Sequence, residues 1–186
     1  MFKVALYLLI AVILAIFLLP FLYTISPYQL DPTKILQAPS FEHLFGTDRL
    51  GRDMFARVLN GGQTSLIIGF LAASISSIVG LFIGINAGYF KGNIDKTITI
   101  MIDLFLTFPT FFLLLALVSY IQASALILII VISITSWMGM ARMIRSESFA
   151  IGNKPFIKIL KVANVSTFKI IFKYFAPLLA PIFLIS

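Results

Sequence analysis

Three long stretches of this chain carry no charged residue, and they dictate the solvent in which it folds. No Asp, Glu, Lys or Arg occurs from Val4 to Leu30, from Val58 to Phe90 or from Leu104 to Ala141. A bilayer crossing needs roughly 20 mostly apolar residues. The first span is predicted at about Val4 to Tyr23 and the second at about Ser65 to Tyr89. The third stretch is too long for one crossing and about right for two, at about 1.5 Å per residue. Its polar break at Ser119–Ser124 divides it into a third span, about Ile98 to Val118, and a fourth, about Ala125 to Met140. A fifth apolar run starts near Tyr174 and stops at Ser186 after about half a span, so the chain reads as C-terminally incomplete.

Composition agrees with a lipid-facing protein: 60% of the residues are hydrophobic and 11% charged, against about 25% charged in a soluble domain. The first apolar run exceeds the roughly 7–15 residues of a signal-peptide core, and Pro27 follows its one small-residue cleavage candidate. It is therefore read as an uncleaved anchor. The absence of Cys removes disulfides and thiolate chemistry, and a single His43 leaves no histidine cluster for a metal. The net charge of +7 is confined to segments between apolar runs. That is a topology signal, and it excludes nucleic acid as the partner.

Lys and Arg concentrate on cytoplasmic loops. The segment between spans four and five holds Arg142, Arg145, Lys154, Lys158, Lys161, Lys169 and Lys173 against Glu147 alone. Lys3, Lys91 and Lys96 fall on the same side in an alternating path. The segment between spans one and two balances its charges. The predicted topology has a cytoplasmic N-terminus, an external loop 27–64, and cytoplasmic loops 89–97 and 141–173. The organisation is an anchor over 1–25, an external segment 26–64 with an interfacial helix, and a core transmembrane domain over 65–186.

Four features are candidates for function. Ala72, Ser76, Gly80, Gly84 and Gly88 recur every fourth residue in span two, a small-residue face for close helix packing within the chain or against another. Asp103 is an ionisable group in span three, and Pro109 in the same span is expected to kink it. Asp103 sits near the cytoplasmic end, so an interfacial carboxylate near Lys96 is the plainer reading, with gating the sharper one. The external run Phe45–Met54 has Thr47 or Asp48 as a helix cap, with Leu50, Met54, Val58 and Leu59 on one face and Asn60-Gly61-Gly62 as a stop. It reads as a short interfacial helix in which Asp53 and Arg57 are spaced to pair. Finally, Pro155 suits a helix start, and Asn164 can end that helix in a left-handed turn. Phe156, Ile159, Leu160 and Ala163 form its apolar face, roughly opposite Lys154, Lys158 and Lys161. Such a helix lies on anionic lipid or docks into a partner's groove. No phosphate-binding loop and no set of catalytic residues is present in the sequence, so the chain is not read as an enzyme.

Three segments resemble the permease subunits of dipeptide, oligopeptide and nickel ABC importers, specifically the second of the two paralogous permeases. Phe45-Gly46-Thr47-Asp48-Arg49-Leu50-Gly51-Arg52-Asp53 matches F/L-G-T-D-x-x-G-R-D. Asp103–Pro109 is similar to D-x-x-x-x-F-P, and Trp137–Arg145 to W-x-x-x-A-R-x-x-R. The resemblance implies an all-α bundle of six spans in the bacterial inner membrane. It also implies a paralogous permease, two ATP-binding subunits that hold ATP and Mg, and an external solute-binding protein. The loop before span five would carry the ATPase-coupling helix, formed here by Phe156, Lys158, Ile159, Leu160 and Lys161 and closed by Asn164. The family's E-A-A-x-x-x-G positions hold Lys158, Ile159, Leu160 and Asn164, with the spacing to Pro177 kept. Substrates implied are peptides or nickel chelates. Rival readings are a stand-alone channel or secondary transporter, disfavoured because spans one, two and four lack ionisable residues, and a non-transporting membrane scaffold.

Overall fold

The computed structural model describes residues 2–107, 112, 115, 116, 119 and 124–185, and no strand occurs among them. The main helices are α1 Phe2–Leu22, α2 Met54–Phe90, α3 Gly92–Thr107 and α4 Ala125–Gly152. A short α5, Pro155–Val162, precedes α6, Thr167–Ile170, which runs through a π-helical turn, Ile171–Phe175, into α7, Ala176–Ile185. This is an all-α polytopic membrane protein. Among the described residues, three helices are long and apolar enough to cross a bilayer: Lys3–Leu22, Met54–Phe90 and Ala125–Gly152. They contain the first, second and fourth expected spans, but for Tyr23, just past the end of α1. The third expected span overlaps α3, and most of its C-terminal part, including Pro109, lies outside the described residues.

The chain divides into two compact units, 1–67 and 68–186. In the first, α1 meets the start of α2 where Gly62 adjoins Ile16 and the Gln63 side-chain amide donates to the Ile16 carbonyl at 3.1 Å. The separate interfacial helix expected after Thr47 does not form. Helix α2 starts at Met54 and continues through Asn60-Gly61-Gly62 without a break. A glycine pair costs about 1 kcal/mol per residue in helix propensity, too little to stop a helix of 37 residues. At about 1.5 Å per residue this helix is about 55 Å long, well beyond the roughly 30 Å hydrocarbon layer.

In the second unit, α2 and α4 pack along the small-residue stripe. One core cluster joins Ile85 and Tyr89 of α2 to Ile144 and Ile151 of α4, Ile157 of α5, and Ile170, Phe175 and Leu179 further on. A smaller one joins Ile102 of α3 to Trp137, Met138 and Ala141 of α4. The π turn lies directly before Pro177, whose ring would clash with the Lys173 carbonyl in a regular α-helix. Widening the turn relieves that clash, and the Ala176 N–H donates to the Ile171 carbonyl instead.

Candidate functional site

The α4–α5 joint and the elements around it form the candidate site. Pro155 occupies the first turn of α5, where no backbone N–H is needed. Asn164 ends the segment with φ 55°, a left-handed conformation that Asn tolerates better than most residues. The Ser166 side chain then accepts from the Lys169 N–H at 3.4 Å, capping α6. The apolar partition of α5 differs from the sequence reading. Ile157, not assigned to the apolar face, is 0% exposed within the core, while Ile159 and Val162 are 66% and 88% exposed. Leu160 is half-buried, and Phe156, Lys158 and Lys161 are exposed. Tertiary packing turns Ile157 inward in place of Ile159, which the sequence placed on the apolar face.

Two polar ties fasten this joint to the α2–α3 corner. Lys91, between α2 and α3, donates to the Asn153 side-chain carbonyl at 2.6 Å. Arg145 of α4 grips Asp95, in the first turn of α3, through two parallel N–H donors; Nη2 lies 2.8 Å from Oδ2, and Nε contacts Oδ1. Lys161 of α5 lies over the Tyr89 ring, 4.1 Å from its centroid. The α2–α3 link and the α4–α5 joint therefore sit at one end of this unit, and both are rich in Lys.

Asp103 does not partner Lys96. It accepts from Arg142 of α4 at 2.5 Å. The two arginines of the W-x-x-x-A-R-x-x-R segment thus bind the two aspartates of α3, while its Trp137 and Ala141 are buried. Asp95 was missed in the sequence. Its one signal was being the sole acid in an otherwise basic link.

The stripe on α2 faces α4. Ser133 reaches toward the Ala72 carbonyl at 3.5 Å. A Cβ on Gly80 would fall 2.6 Å from Met140 Cβ, and one on Gly84 2.6 Å from the Ala141 carbonyl oxygen. Ser76, between Ala72 and Gly80 on the stripe, is buried.

In the first unit, the Gly46–Asp53 run folds the loop onto itself. Gly46 and Gly51 have φ 69° and 73°, and a side chain on either would strike backbone. The Thr47 hydroxyl accepts from the Gln37 N–H at 2.9 Å and donates to the Lys34 carbonyl. Asp48 accepts from the Leu50 and Arg52 N–H groups at 2.8 and 3.0 Å, from Arg52 Nε at 2.9 Å, and from Arg57. Burial raises the Asp48 carboxyl, but these backbone donors and the Arg52 guanidinium outweigh it and hold it at about 2. Arg57 therefore pairs with Asp48, not with Asp53 as its spacing suggested. Asp53, not Thr47 or Asp48, caps α2, accepting from the Ala56 N–H at 2.7 Å. Its other oxygen takes the Tyr23 hydroxyl at 2.7 Å and His43 Nδ1 at 2.8 Å. Burial raises the Asp53 carboxyl, and these three donors together bring it below the usual carboxylate range.

Comparison with known proteins decides the family. Residues 80–186, more than half of the chain, match the family described as binding-protein-dependent transport system inner membrane component. The chain belongs to that family. It is 36% identical over 92% of its length to the dipeptide transport system permease protein DppC of Alkalihalophilus pseudofirmus. It is 30% identical over 89% to the oligopeptide transport system permease protein OppC of Haemophilus influenzae, and 34% over 85% to DppC of Bacillus subtilis. These matches cover 56%, 54% and 49% of the respective relatives, so the chain spans about half their length. The family match contains the α2–α3 corner, both Asp–Arg bridges and α5.

Proposed function

We propose that this chain is a transmembrane permease subunit of an ATP-driven, binding-protein-dependent peptide importer in the bacterial inner membrane, with its N-terminus in the cytoplasm. One observation carries the reading: α5 presents Ile159 and Val162 to the outside while Ile157 anchors it in the core. An exposed apolar edge flanked by Lys158 and Lys161 suits a groove on a partner protein. Membership of a family named for dependence on a binding protein supports transport as the task. Peptide is the proposed substrate class because the relatives above are named for dipeptide and oligopeptide transport. None of them supports the nickel chelates that the resemblance also implied. The remaining partners are a paralogous permease, two ATP-binding subunits and an external solute-binding protein, with membrane lipid around the spans. ATP and Mg belong to the ATP-binding subunits, and this chain is no enzyme.

In this mechanism, closure of the two ATPases displaces α5. The displacement tilts the helices joined to it and alternately opens the path between the two permeases to either side. Peptide released by the binding protein passes through that path. Single cysteines at Phe156, Lys158, Ile159 and Val162 test it. They are expected to cross-link to the ATP-binding subunit in a nucleotide-dependent way, most strongly at Ile159 and Val162, while Ile157→Cys does not react. Absence of a cross-link at every site from 154 to 164 defeats the proposal.

A further inference from the structure

A push on α5 acts first on α4, its neighbour in sequence, yet a path through the bundle can change only if other helices follow. Helix α3 touches α4 through two kinds of contact. The apolar cluster around Ile102 and Trp137 is non-directional. The Asp95–Arg145 contact is side-on and doubly hydrogen-bonded, which fixes distance and orientation together. Its side chains are 15% and 32% exposed, whereas those of the Asp103–Arg142 pair are 58% and 55% exposed and meet through one bond of 2.5 Å. With one hydrogen bond in place of two, the second pair fixes orientation less. Asp95 also stands four residues after Lys91, which holds Asn153 at the base of α5. The stronger bridge therefore lies at the end of the unit where a displacement of α5 enters.

We infer that Asp95 and Arg145 are positioning residues that transmit the movement of α5 and α4 to α3, so that α3 follows nucleotide state through this bridge and not through its apolar contact. The inference rests on the ATPase-coupled reading above. It assigns the Asp103–Arg142 pair no part in transmission.

The test uses the complete transporter complex in nanodiscs. Because this chain has no cysteine of its own, spin labels are placed at Ile100→Cys in α3 and Met143→Cys in α4, with cysteines elsewhere in the complex replaced. With ATP and vanadate, both labels are expected to shift in the otherwise native complex. Asp95→Asn is expected to keep the shift at Met143 and cut that at Ile100 about three- to tenfold. The exchanged pair Asp95→Arg with Arg145→Asp restores it, and Asp103→Asn changes neither label. The inference is overturned if Asp95→Asn leaves the Ile100 response intact, or if it weakens both labels together and the exchanged pair restores neither. If the native complex shows no nucleotide response at either position, the coupled reading itself fails, and the inference falls with it.

Discussion

Gly88 of α2 meets Ser148 of α4 so closely that a Cβ added to the glycine would lie 2.5 Å from the serine Cβ. The backbones of the two helices approach there because neither residue has bulk to hold them apart. Gly88→Ala, Gly84→Ala and Gly80→Ala are each expected to destabilise the protein by about 1–3 kcal/mol through overpacking. Gly69→Ala, on the same helix with open space around it, is expected to be neutral or stabilising by up to about 1 kcal/mol. Thermal unfolding in detergent, followed by protease resistance, separates the two outcomes. Equal gains at Gly69 and Gly88 would show that helix propensity, not close approach, decides the outcome at both positions.

Asp53 holds three donors from three parts of the first unit. Asp53→Ala removes a helix cap, at about 1 kcal/mol. It also leaves the buried His43 ring without its carboxylate partner, at about 1–3 kcal/mol, and the Tyr23 hydroxyl with only the more distant Glu42 carbonyl at 3.3 Å. The expected result is rapid proteolytic cleavage between residues 24 and 53 while the rest of the chain stays protected. Unchanged cleavage would mean that the loop is held without this carboxylate.

Acid should open the same loop late. The folded-state value of Asp48 lies below its ordinary 3.8, at about 2. A depressed carboxylate contributes stability that is present above the ordinary value and is lost as pH falls through the folded one. Protection of the loop from hydrogen exchange is therefore expected to be flat from neutral pH to about pH 4, with the Asp48 contribution fading between about pH 4 and about pH 2. Asp48→Asn should lower protection at neutral pH and flatten that acid limb. An Asp48→Asn protein with the native acid limb would assign the transition to another group.

Asn164 adopts φ 55°. Asn164→Gly, which restores the residue of the related signature, is expected to be neutral or slightly stabilising. Asn164→Val should cost about 1–2 kcal/mol, because a β-branched side chain resists the left-handed region. Thermal unfolding of the two variants reads the difference directly.

The helical, membrane-crossing character was legible because runs without charge leave few alternatives. The break at Asn164 was legible because few residues accept a left-handed turn. What escaped was set by partners distant in sequence. Asp53 became the cap of α2 because Tyr23 and His43 converge on it, and no local pattern announces that. Arg142 and Arg145 were visible as a motif, but their aspartates lie 39 and 50 residues earlier. Ile157 and Ile159 are the same residue type two positions apart, and only the surrounding core decides which is buried.

The π turn before Pro177 gives its helix a spare residue. An α-helix rotates each residue by about 100°, so an extra residue in ordinary geometry would swing everything after it round by that angle; the wider turn takes it up locally instead. Ile170 before the turn, Phe175 at its end and Leu179 beyond it are accordingly all fully buried. The fold thus accommodates proline at 177 by a local widening that leaves the facing of the following helix intact.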